Sequence, residues 1–371
     1  MKYYIISGEA SGDLHGSNLI KELNKLDTDI DLRFWGGDLM QAQGGKLVKH
    51  YKDLAFMGFT QVLMNIRTIF KNIKFCKQDI LKFKPDILIL IDYPGFNLRI
   101  AEFAKQNNIK VFYYISPQIW AWKQSRVHKI KRFVDEMFVI LPFEKDFYKK
   151  FDFDVNFVGH PLLDAIEENK KIPFDEQKFR QENALSDKPI ISLLAGSRKQ
   201  EVKAKLPVML SVVKHYPDYQ FVLAGAPSLD TNYYNTFLQN TNVKLVQNKT
   251  YDLLKISTAA LVTSGTATLE TALFEVPEVV CYKTNEIQYR LAKNLVKIKF
   301  ISLVNLIMDK EIIKELIQHD LNEKQLKQEL DKLLFDTEYK TKLKNNYKLL
   351  KENLGGSGAS KRLARLIYSK L

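Results

Sequence analysis

The chain has 371 residues, 46% hydrophobic and 27% charged, with a formal net charge of +13. At roughly 100–200 residues per domain this length predicts two domains, or three, with sizeable cores, and it excludes disorder as the main state. Two cysteines, Cys76 and Cys281, exclude a disulfide scaffold and any multi-cysteine zinc or iron–sulfur site, and fit a reducing cytoplasm.

The first strand, Tyr3–Ser7, runs into Gly8-Glu9-Ala10-Ser11-Gly12-Asp13, with a helix expected from about Leu14. A glycine-containing strand-to-helix turn lets backbone approach a ligand closely, and the N–H groups at the helix start favour an anion. Two acids inside the loop disfavour a pyrophosphate and favour sugar hydroxyls or proton transfer. The alternative is a tight turn with Asp13 as a helix cap. The opening run Met1–Ile6 is too short for a signal peptide, and no stretch approaches the roughly 20 apolar residues of a membrane span, so a cytosolic protein is expected.

After a strand at Leu32–Trp35, apolar residues recur at helical spacing at Phe59, Val62, Leu63, Ile66, Ile69, Phe70, Ile73 and Cys76. Arg67, Lys71 and Lys74 form a basic stripe beside them, which suits a helix lying in a bilayer interface as well as a buried helix. Between Arg67 and Lys150 there are 17 Lys+Arg and 8 Asp+Glu, a net of +9. A solvated face, an anionic membrane, a phosphorylated substrate or nucleic acid would each accommodate that charge. Nucleic acid is disfavoured, because no recognition motif appears and aromatics do not alternate with basic residues.

The strand Asp86–Ile91 ends in Asp92-Tyr93-Pro94-Gly95-Phe96-Asn97. A carboxylate at the carboxyl end of a buried strand is placed for general base work. Val111–Ile115 leads into Ser116-Pro117-Gln118-Ile119-Trp120-Ala121-Trp122, whose indoles could stack on a sugar, meet acyl chains or pack in the core. Strands at Met137–Leu141 and Val155–Val158 complete the first half. Polar residues 167–189, with Pro173 and Pro189, are read as a linker.

The second half repeats the pattern with strands at Ile190–Ala195, Gln220–Ala224, Val243–Val246, Ala259–Val262 and Val279–Tyr282. Gly196-Ser197-Arg198 follows the first of them, and backbone N–H groups with one Arg there suit a diphosphate. The absence of a Walker lysine disfavours ATP hydrolysis. Ser264-Gly265-Thr266-Ala267-Thr268-Leu269-Glu270 enters a helix after Ala259–Val262. Glu270, one turn in, could accept both hydroxyls of a ribose or simply oppose the helix dipole. Residues 309–352 read as helical, Gly355–Gly358 break the helix, and a last amphipathic helix follows. Near-continuous apolar strands alternating with helices predict parallel sheets covered on both faces. The fold class is therefore α/β, with two doubly wound Rossmann-like domains facing across a cleft and a C-terminal helical tail. The expected boundaries are 1–166, a linker 167–189, 190–350, and a helix in 351–371 packing back on one of the domains.

These motifs, with Met57-Gly58-Phe59 and Val158-Gly159-His160-Pro161, resemble the lipid-A-disaccharide synthase family over nearly the whole chain. The resemblance implies the glycosyltransferase B fold. It also implies an inverting reaction that joins UDP-2,3-diacylglucosamine to 2,3-diacylglucosamine 1-phosphate (lipid X), yielding a β-1,6 disaccharide 1-phosphate and UDP, with no cofactor and no required metal. For the base, Asp92 ranks first, Asp13 second and Glu9 third. The UDP-sugar would be held by Gly196, Ser197, Arg198, Gly265, Thr266, Glu270 and Asn305. The acceptor and lipid side would comprise Gly8, Ser11, Gln118, Trp120, Phe59, Ile66 and Phe70. A peripheral position on the anionic inner face of the inner membrane follows from the acylated substrates, and an oligomer is compatible with the sequence. Two other readings stay open at this point: a UDP-sugar 2-epimerase on the same fold, and a non-catalytic membrane or nucleic-acid-binding protein.

Overall fold

The computed structural model describes residues 1–54, 66–296 and 298–371. The chain forms two compact units: Met1–Asp164 with Leu354–Leu371, and Ala165–Asn353.

In the first unit, β1 (Lys2–Ser7), β2 (Asp31–Gly36), β3 (Lys46–His50), β4 (Ile87–Ile91), β5 (Lys110–Tyr114), β6 (Glu136–Val139) and β7 (Asn156–Phe157) form one sheet. Its order is β3-β2-β1-β4-β5-β6-β7 and every pair is parallel. β4 is Ile-Leu-Ile-Leu-Ile and buried at every position, as a strand covered on both faces requires. Strand order reverses between β1 and β4, so the helices that follow them, Ala10–Leu23 and Pro94–Gln106, leave room at the carboxyl ends.

The second unit repeats the plan with β8 (Ile190–Leu194), β9 (Gln220–Gly225), β10 (Lys244–Gln247), β11 (Ser257–Thr263), β12 (Glu278–Tyr282) and β13 (Lys314–Ile317). The order is β10-β9-β8-β11-β12-β13, again all parallel, with the reversal between β8 and β11.

The last helix, Ala359–Ser369, returns to the first unit, where Leu363, Ala364 and Ile367 join the core of Tyr3, Ile5, Ile89 and Phe138. Its start is held by the Asp164 carboxylate, which accepts the N–H groups of Gly358, Ala359 and Ser360, a cap worth about 1 kcal/mol. The Arg362 Nε donates to the Val158 carbonyl at 2.9 Å, and the His160 N–H to the Leu354 carbonyl at 3.1 Å. At Gly159, with φ +88°, a Cβ would stand 3.2 Å from the Leu354 oxygen. The Val158-Gly159-His160 motif is thus a seat for the end of the chain.

Several expectations need correction. Each predicted strand falls on an observed one, but β3 and β13 were not predicted. Both are edge strands with only partial burial, so their apolar signal is weak, and Lys314–Ile317 interrupts the helix expected over 309–352. The segment 167–189 is not a plain linker. It holds the end of helix Leu162–Lys170 and the helix Glu176–Glu182, whose Phe179 enters the second core. The first helix starts at Ala10 rather than Leu14.

Glu278 lies fully buried in β12 with neither carboxylate oxygen hydrogen-bonded, near the Tyr347 hydroxyl. Burial pushes its carboxyl well above the usual range. The folded state therefore favours the protonated acid, and stability falls as pH rises above the ordinary carboxylate value of about 4.3. Glu278→Met should raise the thermal midpoint, by an amount that grows from pH 4 to pH 7. A constant or negative difference across that range in pH-dependent melting would contradict this.

Candidate functional site

β1 and β4 end side by side, and their carboxyl ends gather the acids of the first unit. Gly8 is buried beneath the Tyr93 ring; a Cβ on it would stand 2.4 Å from the ring, so only glycine admits this approach. Asp92 and Tyr93 both take left-handed backbone, φ 44° and 48°. Asn97 pins this strained turn by donating from Nδ2 to the Asp92 carbonyl at 2.8 Å and to the Ile91 carbonyl at 3.2 Å. The Tyr113 hydroxyl also donates to the Asp92 carbonyl. These bonds hold the Asp92 carbonyl, while its carboxylate takes the N–H of Tyr93. Burial, with the negative charge of Glu9 added, pushes the Asp92 carboxyl up to about 6. Glu9 is half-buried at the N-cap of helix Ala10–Leu23 and makes no side-chain capping bond. Ser11 is exposed on the same turn.

Asp13, the second candidate base, has other work. Its buried carboxylate accepts the N–H groups of Gly37 (2.7 Å), Leu39 (3.1 Å) and Met40 (3.1 Å). It caps the turn Asp38–Gln41, not its own helix. With three backbone donors on its carboxylate, Asp13 ties the first loop to the turn after β2.

The loop after β5 also departs from expectation. Gln118 is exposed, but Trp120 is only 8% exposed and packs edge-on against Phe143 at 5.0 Å. The indole at the surface is that of Trp122, 50% exposed, with Lys123 4.5 Å and Arg126 5.6 Å from its ring. Beneath the loop lie the Ser116–Tyr148 hydroxyl pair at 2.7 Å and buried Glu144, which accepts the Leu141 N–H at 3.0 Å. Burial pushes the Glu144 carboxyl up to about 7. Alternating sequence pattern could not single it out, because it lies in a short helix of mixed polarity, Phe143–Lys149.

Helix Ile66–Phe83 buries Ile73, Cys76, Ile80 and Phe83 and turns Phe70, 58% exposed, and Phe75 outward among Arg67, Lys71 and Lys74. Phe59, with Met57 and Gly58, and the side chain of Ile66 lie outside the described residues. Among the described residues, no helix is long and apolar enough to cross a membrane.

In the second unit, β8 and β11 end beside each other. Gly196 has φ +116°, and a Cβ there would meet the Glu201 carboxylate. That carboxylate accepts the Ser197 N–H at 3.1 Å and lies 3.7 Å from Arg198 Nη1. Glu201 thus occupies an anion position at the helix start, a role that spacing alone did not reveal. Arg198 is itself 67% exposed. Gly265, with φ +142°, and Thr266 are exposed at the start of helix Thr266–Leu273. Glu270 is held by the Tyr251 hydroxyl, which donates to Oε1 at 2.9 Å, and burial raises its carboxyl.

Asn305, expected to help hold the nucleotide, has its side-chain amide engaged within the protein. It is fully buried; its Oδ1 accepts from Ile312 and Ile313 N–H, and its Nδ2 donates to the Ile313 carbonyl and to Glu315. Glu315 also binds Ser302 and the Ile301 N–H, and the Ile301 carbonyl accepts from Ser264 Oγ at 2.7 Å. Asn305 therefore braces the segment behind the Ser264 loop. Among the described residues, no three His, Cys, Asp or Glu side chains gather as a metal site.

A family profile described as lipid-A-disaccharide synthetase matches residues 3–367. The chain belongs to the lipid-A-disaccharide synthase family. A synthase of this name from Trichlorobacter lovleyi is 38% identical over 98% of this chain and 96% of its own. One from Coxiella burnetii is 36% identical over 98% of this chain and 97% of its own. Family membership makes the protein a glycosyltransferase of lipid A biosynthesis. Among solved structures, UDP-GlcNAc 2-epimerase from Neisseria meningitidis, bound to UDP-GlcNAc, aligns over 100% of both chains with TM-score 0.69 and 17% identity. The glycosyltransferase of kitacinnamycin aligns over 100% of this chain and 99% of its own, with TM-score 0.65 and 14% identity. Identities this low carry the fold alone, so the epimerase likeness is one of architecture, the glycosyltransferase B type.

A base role for Asp92 predicts that turnover falls as pH drops below about 6. Glu9→Gln removes the repelling charge and should move that acid limb to lower pH. A pH–kcat/KM profile unmoved by Glu9→Gln would show the two carboxylates uncoupled.

Proposed function

We propose that this synthase joins UDP-2,3-diacylglucosamine to 2,3-diacylglucosamine 1-phosphate, with Asp92 as the general base. The acceptor 6-hydroxyl gives its proton to the Asp92 carboxylate as its oxygen attacks the anomeric carbon. The bond from that carbon to the UDP oxygen breaks, UDP leaves with the electron pair, and the configuration inverts. The observation that carries the assignment is the Asp92 carboxylate itself: raised by burial and by Glu9, it sits on a backbone pinned by Asn97 and Tyr113 at the end of a fully buried strand.

In this reading the second unit binds the donor. Arg198 and the N–H groups of the Gly196–Ser197 and Gly265–Thr266 turns meet the diphosphate, and Glu270 meets the ribose. No metal enters the scheme. The diphosphate would displace Glu201 from the Ser197 N–H. On the acceptor side, Gly8, Ser11 and Gln118 line the approach, with the exposed Trp122 in place of Trp120. Phe70 and Phe75, amid the basic stripe, fit a peripheral seat on an anionic bilayer, on the cytoplasmic face of the inner membrane where acylated substrates reside.

The decisive assay offers both lipid sugars in detergent micelles and follows UDP and disaccharide. Asp92→Asn should lower kcat by about 10²–10⁴-fold while UDP-sugar binding persists; near-normal turnover would remove Asp92 from the role. Arg198→Ala should cost about 3–4 kcal/mol of barrier. Phe70→Asp with Lys74→Glu should abolish sedimentation with anionic vesicles, and unchanged sedimentation would place the membrane contact elsewhere.

A further inference from the structure

Lys205 is a cation where the packing calls for an apolar residue. It lies on helix Lys199–Ser211, on the buried stripe of Val202, Leu206 and Met209, and is only 3% exposed. Its ammonium donates to Thr263 Oγ1. Thr263 is the last residue of β11, directly before Ser264-Gly265-Thr266, and it pairs with Cys281 of β12. The ammonium is near enough to Cys281 to offset part of the rise that burial gives its thiol. The cation therefore sits under the carboxyl ends of the central strands, beside both anion-binding turns.

It makes no ion pair among the described residues, although the Glu201 carboxylate is near enough to favour its charge. Glu201, one turn earlier, directs its carboxylate to Ser197 and Arg198. Thr263 supplies a neutral acceptor for only one of the three ammonium donors. A buried cation only partly compensated opposes folding, and burial lowers the lysine's affinity for its proton despite the nearby Glu201 carboxylate. Its position favours an anion bound on the turns above it. In a poorly hydrated interior such a charge acts with less screening than one in solvent.

We propose that Lys205 is a positioning residue and buried counter-charge for the nucleotide diphosphate, acting through Thr263 on the Ser264–Thr266 turn. This rests on the donor reading given above. By donating to Thr263 Oγ1, Lys205 fixes the hydroxyl of the residue that leads directly into the turn. The charge also favours the departing UDP over the bound sugar nucleotide, because negative charge on the diphosphate grows as the glycosyl bond breaks.

The test compares binding of UDP and of uridine by titration calorimetry, for wild type, Lys205→Met, Lys205→Gln and Lys205→Arg. Uridine lacks the diphosphate, and Gln keeps a hydrogen-bond donor without the charge. Both neutral variants should weaken UDP by at least about tenfold and leave uridine within about twofold. They should lower kcat more than they raise KM, and Lys205→Arg should restore most of the UDP affinity. Circular dichroism identifies the folded variants, and either neutral one decides. Wild-type UDP affinity in Lys205→Gln, or equal weakening of UDP and uridine, overturns the counter-charge while leaving the donor reading intact. Failure of the folded wild type to bind UDP overturns both.

Discussion

The structure depends on one constraint: a parallel strand buried on both faces spends its backbone polarity on its neighbours and can present chemistry only where it ends. In each unit the strand order reverses once, and the two strands flanking the reversal deliver their following loops to the same place. In the first unit this brings Glu9 and Asp92 together; in the second it brings the Gly196 and Ser264 turns together. One architecture thus carries opposite electrostatics. The first unit concentrates acid there, as the proposed proton transfer needs, and the second concentrates N–H groups and cations, as the proposed diphosphate site needs.

The acid side works because its two carboxylates have unequal environments. Asp92 is desolvated on a backbone locked by Asn97 and Tyr113, whereas Glu9 is half-buried at a helix start. Asp13, four residues after Glu9, is bound by three backbone donors. Acids gathered from two loops are thus set apart by their burial and hydrogen bonds rather than by their identity.

Much of this was legible in the sequence. Asp92 stood out because an acid directly after five apolar residues has one place to go in a doubly wound sheet. The two glycine turns of the second unit were legible for the same reason. Side chains that act from within were not. Lys205 looks like any lysine on a helix until the helix is seen to turn that face inward, and Glu201 looks like an ordinary first-turn acid. Asn305 matched a family motif, yet its amide is spent entirely on Ile312, Ile313 and Glu315. Trp120 and Trp122 are two residues apart in an irregular loop, where no period tells which indole is covered. β3 and β13 escaped because charged residues interrupt them and their partial burial leaves no continuous apolar run.

The return of Ala359–Ser369 to the first unit makes the second unit an insertion between residues 164 and 354 of the first. Leu363, Ala364 and Ile367 belong to the same core as β1. A ribosome delivers β1 before the second unit and these three side chains after it. The seven strands of the first sheet are therefore made while the apolar flank that this helix covers stays open until the second unit has been synthesised.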